Sequence, residues 1–104
     1  MDRSDFKEFF EELGETIEGY EDEDEFDQDD IYKMEDDIDS YRNRFIEITE
    51  NDNAGEGELE FAEECLDEIK IIEDAVKEAN LKKLVRGLKK LHNTVKNALG
   101  KMEQ

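Results

Sequence analysis

The chain has 104 residues, enough for one compact domain and too few for two ordinary ones. Its 33 acidic and 14 basic side chains leave a net charge of −19, which repels nucleic acid and anionic membranes and favours a basic partner or a cation. Proline is absent, six glycines and a single cysteine, Cys65, leave no turn-rich β barrel or disulfide scaffold, and no apolar run approaches the ~20 residues of a membrane span. The opening Met-Asp-Arg-Ser-Asp carries no hydrophobic signal core, so the expectation is a soluble, cytoplasmic protein.

Charged residues make up 45% of the chain and hydrophobic ones 36%, a balance at which only the pattern of the apolar residues can separate folding from disorder. Four segments place apolar residues at alternating steps of three and four, the spacing of one helical stripe. The first, about 4–20, runs Phe6, Phe10, Leu13, Ile17, Tyr20, with Ser4 as the expected cap and Asp5 and Glu8 suited to the positive end of the helix. An acidic linker follows over about 21–27. The second, about 28–50, runs Ile31, Met34, Ile38, Tyr41, Phe45, Ile48; Asp27 is its expected N-cap and the turn chemistry of 51–57 ends it.

The third helix, expected over about 58–79, carries Leu59, Phe61, Ala62, Cys65, Leu66, Ile69, Ile72, Ala75, Val76 and Ala79, a face wide enough for two neighbours. The fourth, about 81–102, runs Leu81, Leu84, Leu88, Leu91, Val95, Ala98, Met102 in heptad steps. The register slips by two residues between Ala79 and Leu81, which requires either a turn at Asn80 or one long helix that changes face. Isolated helices of this length gain their stability by burying one face. The expected fold is therefore all-α: a single domain, an antiparallel bundle of three or four helices with coiled-coil-like heptad packing. A coiled-coil homo-oligomer is the alternative that the same spacing permits.

Charge is divided along the chain. Residues 1–76 carry a net −25 and residues 77–104 a net +6. The run from Glu21 to Asp30 holds eight carboxylates in ten positions. Candidate partner-binding carboxylates are Glu11, Glu12, Glu15 and Glu18 on the first helix, Glu21, Asp22, Glu23, Asp24, Glu25, Asp27, Asp29 and Asp30 in the run, and Asp36 and Asp37 on the second helix. Duplex DNA carries one charge per ~1.7 Å of axis. Rows of carboxylates on adjacent helices can occupy a basic groove built for phosphates, so in size, acidity and helicity the chain resembles the DNA-mimic inhibitors of restriction, repair and CRISPR enzymes. The competing reading is a solvated charged face. Ordinary solubility needs a net charge of only about 2–8 in a small domain, and excess charge destabilises by self-repulsion. Eight neighbouring carboxylates also resist close packing, so residues 21–30 are expected to form a flexible linker unless neutralised.

Three further patterns carry chemistry. Asp52, Glu56, Gly57, Leu59, Glu60 and Glu63 fall at the first, fifth, sixth, eighth, ninth and twelfth places of a loop that resembles an EF-hand calcium loop. The resemblance implies ligation by Asp52, Glu56, Glu60 and Glu63, with Glu58 as a further carboxylate. Ala54 departs from the pattern at the third ligand place, and the simpler reading is a helix–helix turn with acidic residues at the next N-terminus. Arg86 and His92, with five residues between them, resemble the Arg-x(4–6)-His signature of the HEPN ribonucleases, which implies an RNA-cleaving pair. Gly87 departs from that motif, and His92 reads more simply as a surface side chain. Finally, Lys82, Lys83, Arg86, Lys89, Lys90, Lys96 and Lys101 flank the last leucine stripe as in an amphipathic membrane or calmodulin-target helix, or neutralise the acidic helices on which it packs. One histidine and one cysteine leave no zinc set or nucleophilic pair beyond these. The expectation is a non-enzymatic binding protein with no cofactor, docking on a basic protein surface and not on nucleic acid or membrane. A structural coiled-coil adaptor and an EF-hand-like calcium binder are the alternatives.

Overall fold

A computed structural model describes residues 3–102, with side chains from Ser4 to Lys101. Four helices follow in order, α1 (Arg3–Glu21), α2 (Gln28–Glu50), α3 (Glu56–Lys77) and α4 (Leu81–Met102). They form an antiparallel bundle with a long dimension of 42 Å. The expected all-helical bundle is the fold, with four helices and no strand among the described residues.

Each helix follows from its apolar stripe. α1 buries Phe6, Phe9, Leu13, Ile17 and Tyr20, and α2 buries Met34, Ile38, Tyr41, Phe45 and Ile48. α3 contributes Ala62, Cys65, Ile69, Ile72, Ala75 and Val76, and α4 contributes Leu84, Leu88, Leu91 and Val95. Going round the bundle, α1 packs on α4, α4 on α3 and α3 on α2. The α1 and α2 backbones stay farther apart, and aromatic rings fill the seam. Phe9 meets Tyr41 and Phe45 edge to face at 5.1 and 5.6 Å, Phe45 meets Phe61 at 5.8 Å, and Phe61 meets Phe6 at 5.4 Å. This chain of T-shaped contacts links three helices, each pair adding about 1 kcal/mol beyond area burial.

The first stripe differs from the expected one at a single place. Phe9 is fully buried, whereas Phe10 is half-buried and stacks on His92 of α4 at 4.1 Å. Both residues satisfy a three-plus-four step between Phe6 and Leu13, so spacing cannot choose between them; the wide α1/α2 seam takes Phe9. Ser4 lies inside α1 and does not cap it, because the helix already includes Arg3.

Termini account for the other boundaries. Asp27 caps α2 as expected: its side chain accepts from the Asp30 amide at 2.9 Å, and the Asp30 carboxylate accepts from the Asp27 amide, a reciprocal capping box. α3 starts at Glu56, two residues earlier than expected, because Gly55 serves as N-cap. It ends at Lys77, and Ala79 is exposed outside it with φ 52°. The Asn80 amide donates to Ala75 O and the Ala79 amide to Val76 O, the pair of bonds that defines a Schellman stop. Asn80 then accepts from the Lys83 amide at 3.1 Å and opens α4. The register slip is therefore a turn. Gly87 sits where α3 and α4 meet; a Cβ there would lie 3.0 Å from Ile72 Cγ1, so the glycine permits that approach. The side chain of Met102, the last expected stripe residue, lies outside the described ones.

Candidate functional site

The carboxylates gather on the outer faces of α1 and α2 and on the loop that joins them. Burial of Phe9, Leu13 and Ile17 turns Glu8, Glu11, Glu15, Glu18 and Asp22 outward in one exposed row. On α2, burial of Met34, Ile38 and Tyr41 leaves Asp29, Asp36 and Asp39 exposed, with Tyr32 among them at 60% exposure. α1 and α2 are neighbours through the Phe9–Tyr41 and Glu12–Arg44 contacts, so the two rows lie on adjacent helices joined by the 22–27 loop.

The predicted partner-binding residues divide into two sets. Glu11, Glu15, Glu18, Asp22, Glu23, Asp24, Glu25, Asp29 and Asp36 are exposed. The others, among them the equally exposed Glu12, Glu21 and Asp27, have partners or burial within the molecule. Asp27 and Asp30 form the capping box. Glu12 lies 3.8 Å from the Arg44 guanidinium, which also stands over the Phe9 ring at 5.1 Å. Glu21 pairs with Lys89 of α4. Asp37 is half-buried, and burial, joined by the like charges of Asp36 and Glu12, raises its carboxyl above the usual range. Lys33 opposes that rise at Asp37, as Arg44 offsets Glu12.

Residues 21–30 make several local contacts. α1 continues through Glu21, the Glu23 amide donates to Tyr20 O at 3.2 Å, and Phe26 packs edge to face on Tyr20 at 5.7 Å. Phe26 and the capping box pin the loop, while its carboxylates stay in water. Across an open cleft from them lie Glu78, Lys82, Arg86 and Lys89, so part of the basic helix faces the acidic loop. Lys83 meets Glu78 at 2.8 Å, and on the other side of the bundle Arg42 and Lys77 share Glu73. The pairs of Lys83 with Glu78 and Lys89 with Glu21 are the partial neutralisation expected of α4, whereas Arg42 and Lys77 belong to α2 and α3. No described helix is long and apolar enough to cross a membrane.

The EF-hand-like spacing does not produce its loop. Glu56, Gly57, Glu58, Glu60 and Glu63 are all helical, and only residues 51–55 form the connection. A helix spreads these carboxylates over successive turns and faces instead of wrapping them round one ion. Asp52 and these glutamates belong to no metal-ligating group among the described residues. The Arg86–His92 pair is likewise divided, since six residues along a helix place two side chains about 120° apart. His92 points toward α1 against Phe10, not into open solvent, and burial, helped by the Lys96 charge, lowers its pKa. Arg86 is exposed.

One polar residue escaped the sequence reading. Glu68 is only 4% exposed, on the α3 face that meets α4. Its Oε1 accepts from the Thr94 hydroxyl at 2.8 Å and its Oε2 is buried without a hydrogen-bond partner. Burial raises its pKa, against the opposing hydrogen bond from Thr94. The signal was present in the spacing: Glu68 stands three residues after Cys65 and four before Ile72, on the apolar stripe itself.

No family model, curated protein or solved structure matches this chain. Fold and charge by themselves define its class, a small acidic four-helix bundle with one face of outward carboxylates.

Proposed function

We propose that this chain is a non-catalytic binding protein whose α1–α2 face docks on a basic protein surface as a mimic of nucleic-acid phosphates. The observation that carries this reading is the exposed row Glu11, Glu15, Glu18, Asp22, beside Asp29 and Asp36, in which no carboxylate is ion-paired to a described residue. Along a helix, steps of three and four give one charge per ~5 Å of axis. Two adjacent rows bring this close to the ~3.4 Å spacing of charges along one DNA strand. The cost of assembling such a face is self-repulsion, which a basic partner relieves.

The target class is a nucleic-acid-binding enzyme; an anti-restriction or anti-CRISPR inhibitor is the sharper form. Against the coiled-coil adaptor reading stands the burial of the heptad residues Leu84, Leu88, Leu91 and Val95 within one chain. The test is capture from host lysate at low salt with wild type and with the triple variant Glu11→Lys, Glu15→Lys, Glu18→Lys. A nucleic-acid enzyme retained by wild type, displaced by duplex DNA and by salt, and lost with the variant is the expected result. Equal recovery with both proteins, or no displacement by DNA, would refute mimicry.

A further inference from the structure

At the end of the bundle opposite the acidic loop, the first turns of α3 and the last turns of α4 enclose a cleft of about 590 Å³. Phe6, Ile48 and Phe61 give it apolar walls. Glu58, Glu60 and Glu64 stand round it against one ammonium, that of Lys101. Thr94 forms part of the wall, and behind it lies Glu68, one helical turn beyond Glu64 on the same side of α3. Glu68 holds Thr94 with one oxygen and leaves the other buried and unpartnered.

We infer that this cleft is a binding site for a small organic cation with an apolar body, an arylalkylammonium being the simplest form. The volume lies in the range of small-molecule sites, about 300–1,000 Å³. The aromatic walls supply area for a ring, and the carboxylates supply the countercharge. A bare metal ion does not fit, because the carboxylates form no ligand group among the described residues. An ammonium is less demanding: each N–H needs one oxygen, and charge-assisted bonds of this kind are about twice as strong as neutral ones. Glu68 does not line the cleft but adds a countercharge directly behind Thr94. The site shares no residue with the α1–α2 docking face, so it stands or falls separately from the function proposed above.

The test is a titration of the full-length chain, followed by backbone amide shifts, with 2-phenylethylammonium and with 2-phenylethanol as the neutral isostere. The expected result is saturable shifts at Phe61, Thr94 and Ala98, with the ammonium bound at least ~10-fold more tightly than the alcohol. Glu68→Met should bring that preference to within about threefold, and Glu64→Gln, at the exposed mouth, should reduce it by a smaller factor with packing untouched. Equal affinity for alcohol and ammonium, linear shifts spread over the α1–α2 face, or an unchanged preference in both variants would overturn the assignment.

Discussion

Thr94 has one hydroxyl proton and two acceptors within reach, Glu68 Oε1 at 2.8 Å and the Lys90 carbonyl at 3.1 Å. When Glu68 is ionised, one acceptor goes without. When it is protonated, it can donate to Thr94, which then donates to Lys90, and the chain of bonds is complete. The raised pKa of Glu68 has the same direction, with burial as its first cause. A carboxyl whose folded pKa lies above its ordinary 4.5 binds more protons folded than unfolded, so its contribution to stability is present in acid. That contribution is lost as pH rises from 4.5 through the folded value. Glu68→Met removes the desolvated carboxylate and leaves Thr94 its second acceptor. It should therefore stabilise the protein by about 1 kcal/mol at pH 7, roughly 5 °C in Tm. The gain should shrink below pH 4.5, where both side chains are neutral. Thermal unfolding of the two proteins across pH 4–8 checks this, and a loss of stability at pH 7 would show the carboxylate to be compensated.

At the scale of the element, the ends of the helices decide more than their middles. Ala79 takes the left-handed conformation at φ 52°, where its Cβ is strained and glycine is not. Ala79→Gly should stabilise by about 1 kcal/mol, the opposite of the usual effect of introducing glycine within a helix. Asp27→Ala should act the other way, losing about 1 kcal/mol with the capping box. It should also loosen the acidic loop, seen as faster amide exchange at residues 22–27 than at Ile48, which the substitution does not touch. Chemical denaturation of both variants, with unchanged slope and shifted midpoint, measures the two effects. The four stripes, the Asp27 cap and the limits of α2 and α4 were legible in the sequence because periodicity and capping are local. Phe9 over Phe10, and the start of α3 at Glu56, were not, since each had two locally equivalent solutions.

For the whole molecule, charge opposes the fold. A net −19 on a chain with a radius of gyration of 13.8 Å places like charges within a Debye length, ~10 Å at 0.1 M salt, of one another. Ion pairs such as Lys89 with Glu21 and Lys83 with Glu78 offset only part of this, and exposed pairs contribute at most about 1 kcal/mol each. Stability should therefore rise with salt, by several degrees in Tm between about 10 mM and 0.5 M NaCl, where screening shortens the repulsion. Binding to a basic partner should weaken over the same interval. A flat thermal response would mean that the α1–α2 face is less strained by its charge than its density suggests.

Approximate helix limits, most of the buried stripes and the acidic character of the first three helices were determined by the sequence alone, because 3.6-residue periodicity and net charge survive without knowledge of neighbours; the count of four waited on the turn at Ala79–Asn80. Only the tertiary structure decided which carboxylates stay free. Glu12, Glu21, Asp27 and Asp30 look like Glu11, Glu18 and Asp29 in sequence, and differ in having Arg44, Lys89 or the reciprocal cap as partner. The same holds for Glu68 and for the EF-hand-like spacing: packing against α4 buried the one, and an earlier start of α3 wound the other into helix. Local pattern fixes which face of a helix is polar. What a charge on that face does depends on the distance to groups far along the chain, which only packing sets.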